Sequence, residues 1–345
     1  MRMTGQNLDF IRAGILGLIV GDALGVPAEF RSRDEMKHRP MTDMTEYGTH
    51  YQPRGTWSDD SSMTLCALDS LCDGFDLSDM MEKFCGWLYR ADYTPWGSVF
   101  DRGLIVQQAL YQYTTGKDPL ECGGRDIRTN GNGSLMRILP VVFYEFVRTN
   151  GFETEDHSAF ITPIHEASAL THAHPISMIG CGIYAQLTAA LIRCRQEHVD
   201  RGNLQQELQK AVDTAWKDYE VHQLGNIYQD ADFAEHLKCY ERLTDLFELG
   251  WLPEWDIKST GYVVDTLEAA LWCLFFTENF RDCVLEAVNL GGDTDTIAAV
   301  AGSFAAIYYG MEDIPEDWLS SIPRLDWIEE MVERFVQSLD TWDES

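Results

Sequence analysis

The sequence is poor in positive charge. Its 345 residues carry 26 Lys and Arg against 56 Asp and Glu, a formal net charge of −30. A chain this acidic lacks the electrostatic hold by which basic proteins bind nucleic acid and anionic membranes, and both drop out as general partners. Strand signals are few: alternating runs and hairpin dipeptides are scarce, which argues against a sheet-based fold. The nine Cys form no C-x-x-C and the nine His no H-x-x-x-H. That excludes a disulfide framework and a zinc site, and it fits reduced core thiols such as Cys66, Cys181 and Cys273 in a cytoplasmic protein. There is no low-complexity tract and no internal repeat, so solenoids are excluded. The apolar run from Ile11 to Val20 is too short to span a bilayer, is closed by Asp22, and lacks a signal cleavage pattern. No targeting segment is expected, and a monomer is the default.

What the chain has is helical period. Hydrophobic residues make up 45% of it, ample for a core. At least ten stretches read as helices, including Asn7–Leu24, Leu77–Tyr89, Leu104–Tyr113, Ile176–Ile192, Leu204–Tyr219, Phe233–Leu249, Thr260–Phe276 and Phe280–Val288. The expected fold is all-α, a single domain over residues 1–345 with its core at about 8–310. Residues 311–345 hold eleven Asp/Glu and two Arg. They read as a solvated helix and tail anchored by Trp318, Trp327, Phe335 and Trp342. Residues 31–54 read as a long loop, of the kind that is often functional.

Two acidic clusters each open an apolar helix. In Asn289–Gly310, Gly291 and Gly292 precede Asp293-Thr294-Asp295-Thr296, and a buried-type run follows. In the second cluster, Trp57-Ser58-Asp59-Asp60 leads into the helix that includes Thr64–Leu71. One such cluster is usually an over-provided N-cap. Two of them favour a shared site in which Ser58, Asp59, Asp60, Asp293, Asp295 and Thr296 offer hard oxygens to divalent cations such as Mg²⁺, Mn²⁺ or Ca²⁺. Other positions are less decided. Glu29, in an apolar Pro-Ala-Glu-Phe setting, is either a turn residue or a site residue. Asp101 is most simply the cap of the Leu104 helix, and Thr266 a cap of its own. The turn Asn130–Arg137, with the Ser134 hydroxyl available, could receive a phosphate. His172 and His174 are either buried and hydrogen-bonded or pocket-lining.

Taken together, G-D-A-L-G-V-P-A-E, W-S-D-D-S-S-M, D-R-G, N-G-x-G-S-L-M-R-x-x-P, L-T-H-x-H-P and G-G-D-T-D-T, in this order from about Ile11 to Gly310, resemble the ADP-ribosylglycohydrolase family. The resemblance implies a compact orthogonal helical bundle with two Mg²⁺ or Mn²⁺ ions. It also implies hydrolysis of the C1″ bond between ADP-ribose and an acceptor on a protein. By the family pattern Ser58, Asp59 and Asp60 match the first metal motif, with Asp60 also counted as catalytic. Asp293, Asp295 and Thr296 match the second, with Asp295 bridging. Glu29 would handle the attacking water or gate the substrate, and Asp101 would act on the ribose. Asn132, Gly133, Ser134 and Met136 would cradle the diphosphate, with His172 nearby. The chain departs from the pattern at Ser58, where Thr is common, and at Arg102, where Ile is. The leading expectation is release of ADP-ribose from arginine. The alternatives are another linkage (serine, a nucleic-acid end or O-acetyl-ADP-ribose) and a non-catalytic ADP-ribose-binding protein. Direct displacement and ribose ring-opening both stay open.

Overall fold

Two helices rich in glycine and alanine form the centre of the molecule. Asp9–Gly25 lies against Thr294–Tyr309, and both are buried almost throughout. Gly14, Gly17, Gly21 and Gly25 recur every three or four residues, so they share one helix face. That face meets the partner backbone to backbone. A Cβ at Gly21 would sit 2.0 Å from the Ala298 carbonyl oxygen, and one at Gly25 2.3 Å from the Asp295 Cα. Thr294 Oγ1 adds a 2.8 Å hydrogen bond to the Gly25 carbonyl. The stripe thus fixes where the second acidic cluster stands relative to the end of the first helix.

The computed structural model describes residues 8–152, 157–221 and 233–340. Among them there is no strand, only isolated bridges pairing Gly124 with His172 and Gly131 with Tyr262. The helices Asp59–Leu71, Leu139–Arg148, Pro175–Gln196, Val263–Phe276 and Phe280–Asn289 surround the central pair. The fold is all-α, as expected. One apolar core runs from Leu8 to Leu339, so it extends past residue 310. The acidic C-terminal stretch belongs to it on one face: Trp318 and Phe335 are fully buried and Trp327 packs alongside. Trp342 lies outside the described residues, as do 222–232 of the expected peripheral pair.

Several expectations are corrected. Residues 31–54 contain a helix, Arg33–His38, closed by a Ser32/Glu35 capping box. Such a box stabilises even a short turn of helix. The expected helix Phe233–Leu249 is broken into Phe233–Leu237, a 3₁₀ stretch Lys238–Thr244, and Leu246–Trp251. Asp245 restarts it by capping the Glu248 N–H at 2.8 Å. Thr266 is inside Val263–Phe276 and does not cap it. The first helix, with its extension to Ala28, and Pro175–Gln196 are both long and apolar enough to cross a bilayer, but 94% of each window is buried inside the fold. The nine cysteines are unpaired.

Candidate metal centre

The first acidic cluster is held by a residue the motif reading passed over. Ser58 caps the Asp59–Leu71 helix, its hydroxyl accepting the Asp60 N–H at 3.3 Å and donating to Asp60 Oδ2 at 3.1 Å. Behind it lies Asp22, buried near the end of the first helix. Its carboxylate accepts the Ser58 N–H at 3.0 Å, the Ser61 N–H at 3.0 Å and the Ser61 hydroxyl at 2.5 Å. These bonds fix the turn from which Asp59 and Asp60 project.

The second cluster is not spent on capping. Asp293 stands at the N-cap position of Thr294–Tyr309, yet its carboxylate makes no cap hydrogen bond. Oδ2 instead accepts from Asn132 Nδ2 at 2.7 Å. Asp295 Oδ1 accepts the Thr296 N–H at 2.9 Å, and the Thr296 hydroxyl reaches Asp60 Oδ2 at 3.5 Å. The two clusters therefore meet. Glu29 joins them, with one oxygen each from Glu29, Asp293 and Asp295 within 4.8 Å of one another. A second trio, Glu29, His50 and Asp101, satisfies the same distance. His50 pairs with Glu29 Oε2. Asp101 is brought to the site but does not cap the next helix, which starts from Gly103 without a side-chain cap.

Burial dominates the electrostatics. It pushes the Asp59, Asp60 and Asp295 carboxyls well above the usual carboxylate range, and their negative neighbours push in the same direction. Burial raises Asp293 too, against the Asn132 hydrogen bond. Glu29 is lifted to about 7 by burial, opposed by the His50 hydrogen bond. Asp22 rises to about 6 for the same first reason, opposed by its Ser61 and Ser58 donors. That hydrogen bond with Glu29 raises His50. Buried carboxylates crowded in this way call for positive charge among them.

The donor set fits a hard divalent cation. Asp60 Oδ1 is buried without any protein hydrogen-bond partner, a state that costs free energy unless something else meets it. The six predicted ligands offer only carboxylate and hydroxyl oxygens, which suit Mg²⁺ or Mn²⁺ rather than a thiolate-seeking metal.

The loop Asn130–Arg137 lies against the Asp293 side. Asn132 also donates to the Thr266 hydroxyl at 2.9 Å, so Thr266 steadies this loop. Gly133 lets the loop lie flat on His172: a Cβ there would sit 2.8 Å from the imidazole Cε1. His172 is buried, with Nδ1 2.9 Å from Thr171 Oγ1, and burial followed by the Arg137 charge lowers it to about 3. It is a neutral support beneath the loop. The Ser134 hydroxyl is not available to a phosphate, because it is fully buried and bonded to Ser168 at 2.9 Å, with Cys181 Sγ at 3.6 Å. Met136 is likewise buried, its carbonyl accepting from Thr64 at 3.3 Å. His174 is also buried and caps the next helix through Nδ1, 3.3 Å from the Ile176 N–H. A surface cavity of about 660 Å³ between Tyr93–Gly97 and Arg324–Arg334 is lined by none of the site residues.

Sequence reasoning missed Asp22 and His50. Asp22 was in view as the residue closing an apolar run; a carboxylate in an otherwise apolar helix face was its signal. His50 gave none, in an irregular loop 21 residues from its partner.

A family model described as ADP-ribosylglycohydrolase matches residues 3–345. The ADP-ribosylarginine hydrolase Tri1 of Serratia proteamaculans is 28% identical over 95% of this chain and 79% of its own length. The ADP-ribosyl-[dinitrogen reductase] glycohydrolase of Rhodospirillum rubrum is 30% identical over 93% of this chain and 92% of its own. A solved structure of an ADP-ribosylglycohydrolase-related protein complex superposes with a TM-score of 0.72 at 27% identity, covering 97% of this chain and all of that one.

Proposed function

The chain belongs to the ADP-ribosylglycohydrolase family, and we propose that it hydrolyses the C1″ bond joining ADP-ribose to arginine in a modified protein. The observation that carries this reading is the meeting of two acidic helix starts, with Asp60 Oδ1 buried and unpaired between them. The choice of arginine is supported by the relative from Serratia proteamaculans, named an ADP-ribosylarginine hydrolase, and by an acidic surface that favours an Arg-bearing target. The protein would work as a monomer in a reducing, cytoplasmic setting.

Ser58, Asp59, Asp60, Asp293, Asp295 and Thr296 would hold two Mg²⁺ or Mn²⁺ ions; when bound, such ions would supply Lewis acidity toward ribose hydroxyls and a water of lowered pKa. The chain's own residues do the rest. Asp22 and Asn132 orient the two carboxylate sets. His50 fixes Glu29 through Oε2, and Oε1 is the atom we assign to take the proton of the attacking water. A carboxyl lifted to about 7 by burial is suited to exchanging a proton near neutrality. Asp101 lies within reach of Glu29 and His50 and would act on the ribose. The backbone of Asn132–Gly133, flattened on His172, forms the diphosphate cradle, and Ser134 and Met136 support it from below. The carboxylates stabilise positive charge that develops at C1″.

An acceptor panel tests the reading: proteins modified on arginine or on serine, and O-acetyl-ADP-ribose, each incubated with enzyme and Mn²⁺ and assayed for free ADP-ribose. Release from arginine is expected. Release from serine alone would move the linkage and keep the site. No release, with tight ADP-ribose binding, would make this a binding protein.

A further inference from the structure

Aromatic side chains stand on one side of the acidic centre and face outward. Phe30 follows Glu29 directly. Its backbone is left-handed, φ 64°, though it is not glycine. Two backbone hydrogen bonds lock it there, Phe30 N–H to the Gly292 carbonyl and Gly292 N–H to the Arg31 carbonyl, both 2.8 Å. The ring displayed by this strained backbone is 69% exposed. Tyr47 and Tyr51 repeat the combination, left-handed at 54° and 57° and exposed. Their turn is pinned to the site, because the Thr49 hydroxyl donates to the Glu29 carbonyl at 2.7 Å. Left-handed backbone at a residue with a Cβ costs stability, and an exposed ring recovers little through burial.

The rings continue inward. The Phe30 ring lies 5.9 Å from the His50 ring and His50 lies 5.2 Å from Phe100. His50 holds Glu29, and Phe100 adjoins Asp101. Aromatic faces and two carboxylates therefore share one side of the centre. The Asn132–Gly133 loop occupies the Asp293 side. An ADP-ribosyl group with its diphosphate at that loop and its ribose at the carboxylates would bring its C1″ substituent close to Glu29, and so close to the Phe30 ring.

From this placement, and on the basis of the arginine reading above, we infer that Phe30, backed by the His50 ring, is a specificity residue that stacks on the acceptor guanidinium at the edge of the acidic centre. A flat, delocalised cation is what aromatic faces next to carboxylates select. Tyr47 and Tyr51 extend the same surface to the flanking peptide.

The test compares Phe30→Ala, Phe30→Leu and Phe30→Trp with wild type on an arginine-modified peptide. Inhibition by ADP-ribose and the urea midpoint are read alongside. Alanine keeps the left-handed backbone cost, so the comparison isolates the ring. Phe30→Ala is expected to lower kcat/KM about 3- to 30-fold through KM. Phe30→Trp should retain activity and Phe30→Leu should not restore it, with ADP-ribose inhibition and the midpoint unchanged. Full activity in Phe30→Ala, rescue by Leu, or a matching loss of ADP-ribose binding would overturn the inference. If wild type releases nothing from arginine, the arginine reading fails and this inference with it, before any variant is compared.

Discussion

Replacing Gly21 with alanine tests whether the two central helices touch backbone to backbone. The added Cβ would lie 2.0 Å from the Ala298 carbonyl oxygen, where ordinary contact begins at 3.4 Å, so the gap must open by about 1.4 Å. Pivoting does not relieve this, because a Cβ at Gly17 would lie 2.5 Å from the Gly302 carbonyl oxygen and one at Gly25 2.3 Å from the Asp295 Cα, both already too close. Overpacking of this kind costs ~3 kcal/mol or more, and the helix propensity gained from Gly to Ala returns about 1 kcal/mol. The net loss is about 2 kcal/mol or more, read as a fall in the urea midpoint at constant slope. Activity should fall further than stability. The same shift moves Asp295 against Glu29, and a misplacement on the order of 1 Å costs roughly 10²-fold in rate. Gly202→Ala is the control, since its Cβ would meet only the Asp200 side chain, at 3.3 Å; it should be neutral or slightly stabilising. A Gly21→Ala protein within about 0.5 kcal/mol of wild type, with full activity, would refute the packing described.

Three further outcomes follow from the site and the core. Asp22→Asn turns one acceptor oxygen toward Ser58 and Ser61 into a donor, so Mn²⁺ affinity by titration should fall about 10- to 100-fold; unchanged affinity would remove Asp22 from the account. In chelator, Asp60→Asn should unfold at higher urea than wild type because one buried charge is gone, while added Mn²⁺ should stabilise wild type only; equal metal stabilisation of both would contradict it. His165 and His172 are held near 3 by burial, against an unfolded value of 6.5. The unfolded chain therefore binds more protons between those values, and stability is lost as pH falls through that window, by up to about 1.4 kcal/mol per pH unit for each histidine. The raised carboxyls of Glu29, Asp22 and the acidic clusters act in the opposite sense over the same window, so the histidine share is read by comparing wild type with a His165→Gln, His172→Gln double variant from pH 6.5 to 4; a gap between their urea midpoints that does not narrow as pH falls would contradict the burial.

The residues that could be read from sequence are those whose signal is local. Both acidic helix starts announce themselves within four residues, because cap chemistry and helix period are short-range properties. Ser32 and Glu35 carried a capping-box signature just as local, and the polarity around it concealed the helix. Glu29 stood out as an acid in apolar surroundings, but its partner His50 depends on a loop path that no periodicity encodes. Asp101 had the sequence position of a cap, and only the chain path shows it turned toward Glu29. The Ser134 hydroxyl seemed open because Gly-rich turns usually face solvent; its burial is set by Ser168, 34 residues away. The glycine stripe of the first helix was not read from the sequence, because its consequence, the placing of Asp295 against Gly25, belongs to tertiary packing.

The most direct test is to follow ADP-ribose release from an arginine-modified protein while Mn²⁺ is titrated into chelated enzyme, with Asp295→Ala beside wild type. Release is expected to be absent in chelator, to rise with metal as two ions bind per chain, and to be lost in Asp295→Ala. Full release in chelator, or from Asp295→Ala, would contradict the convergent acidic helix starts as the seat of the chemistry.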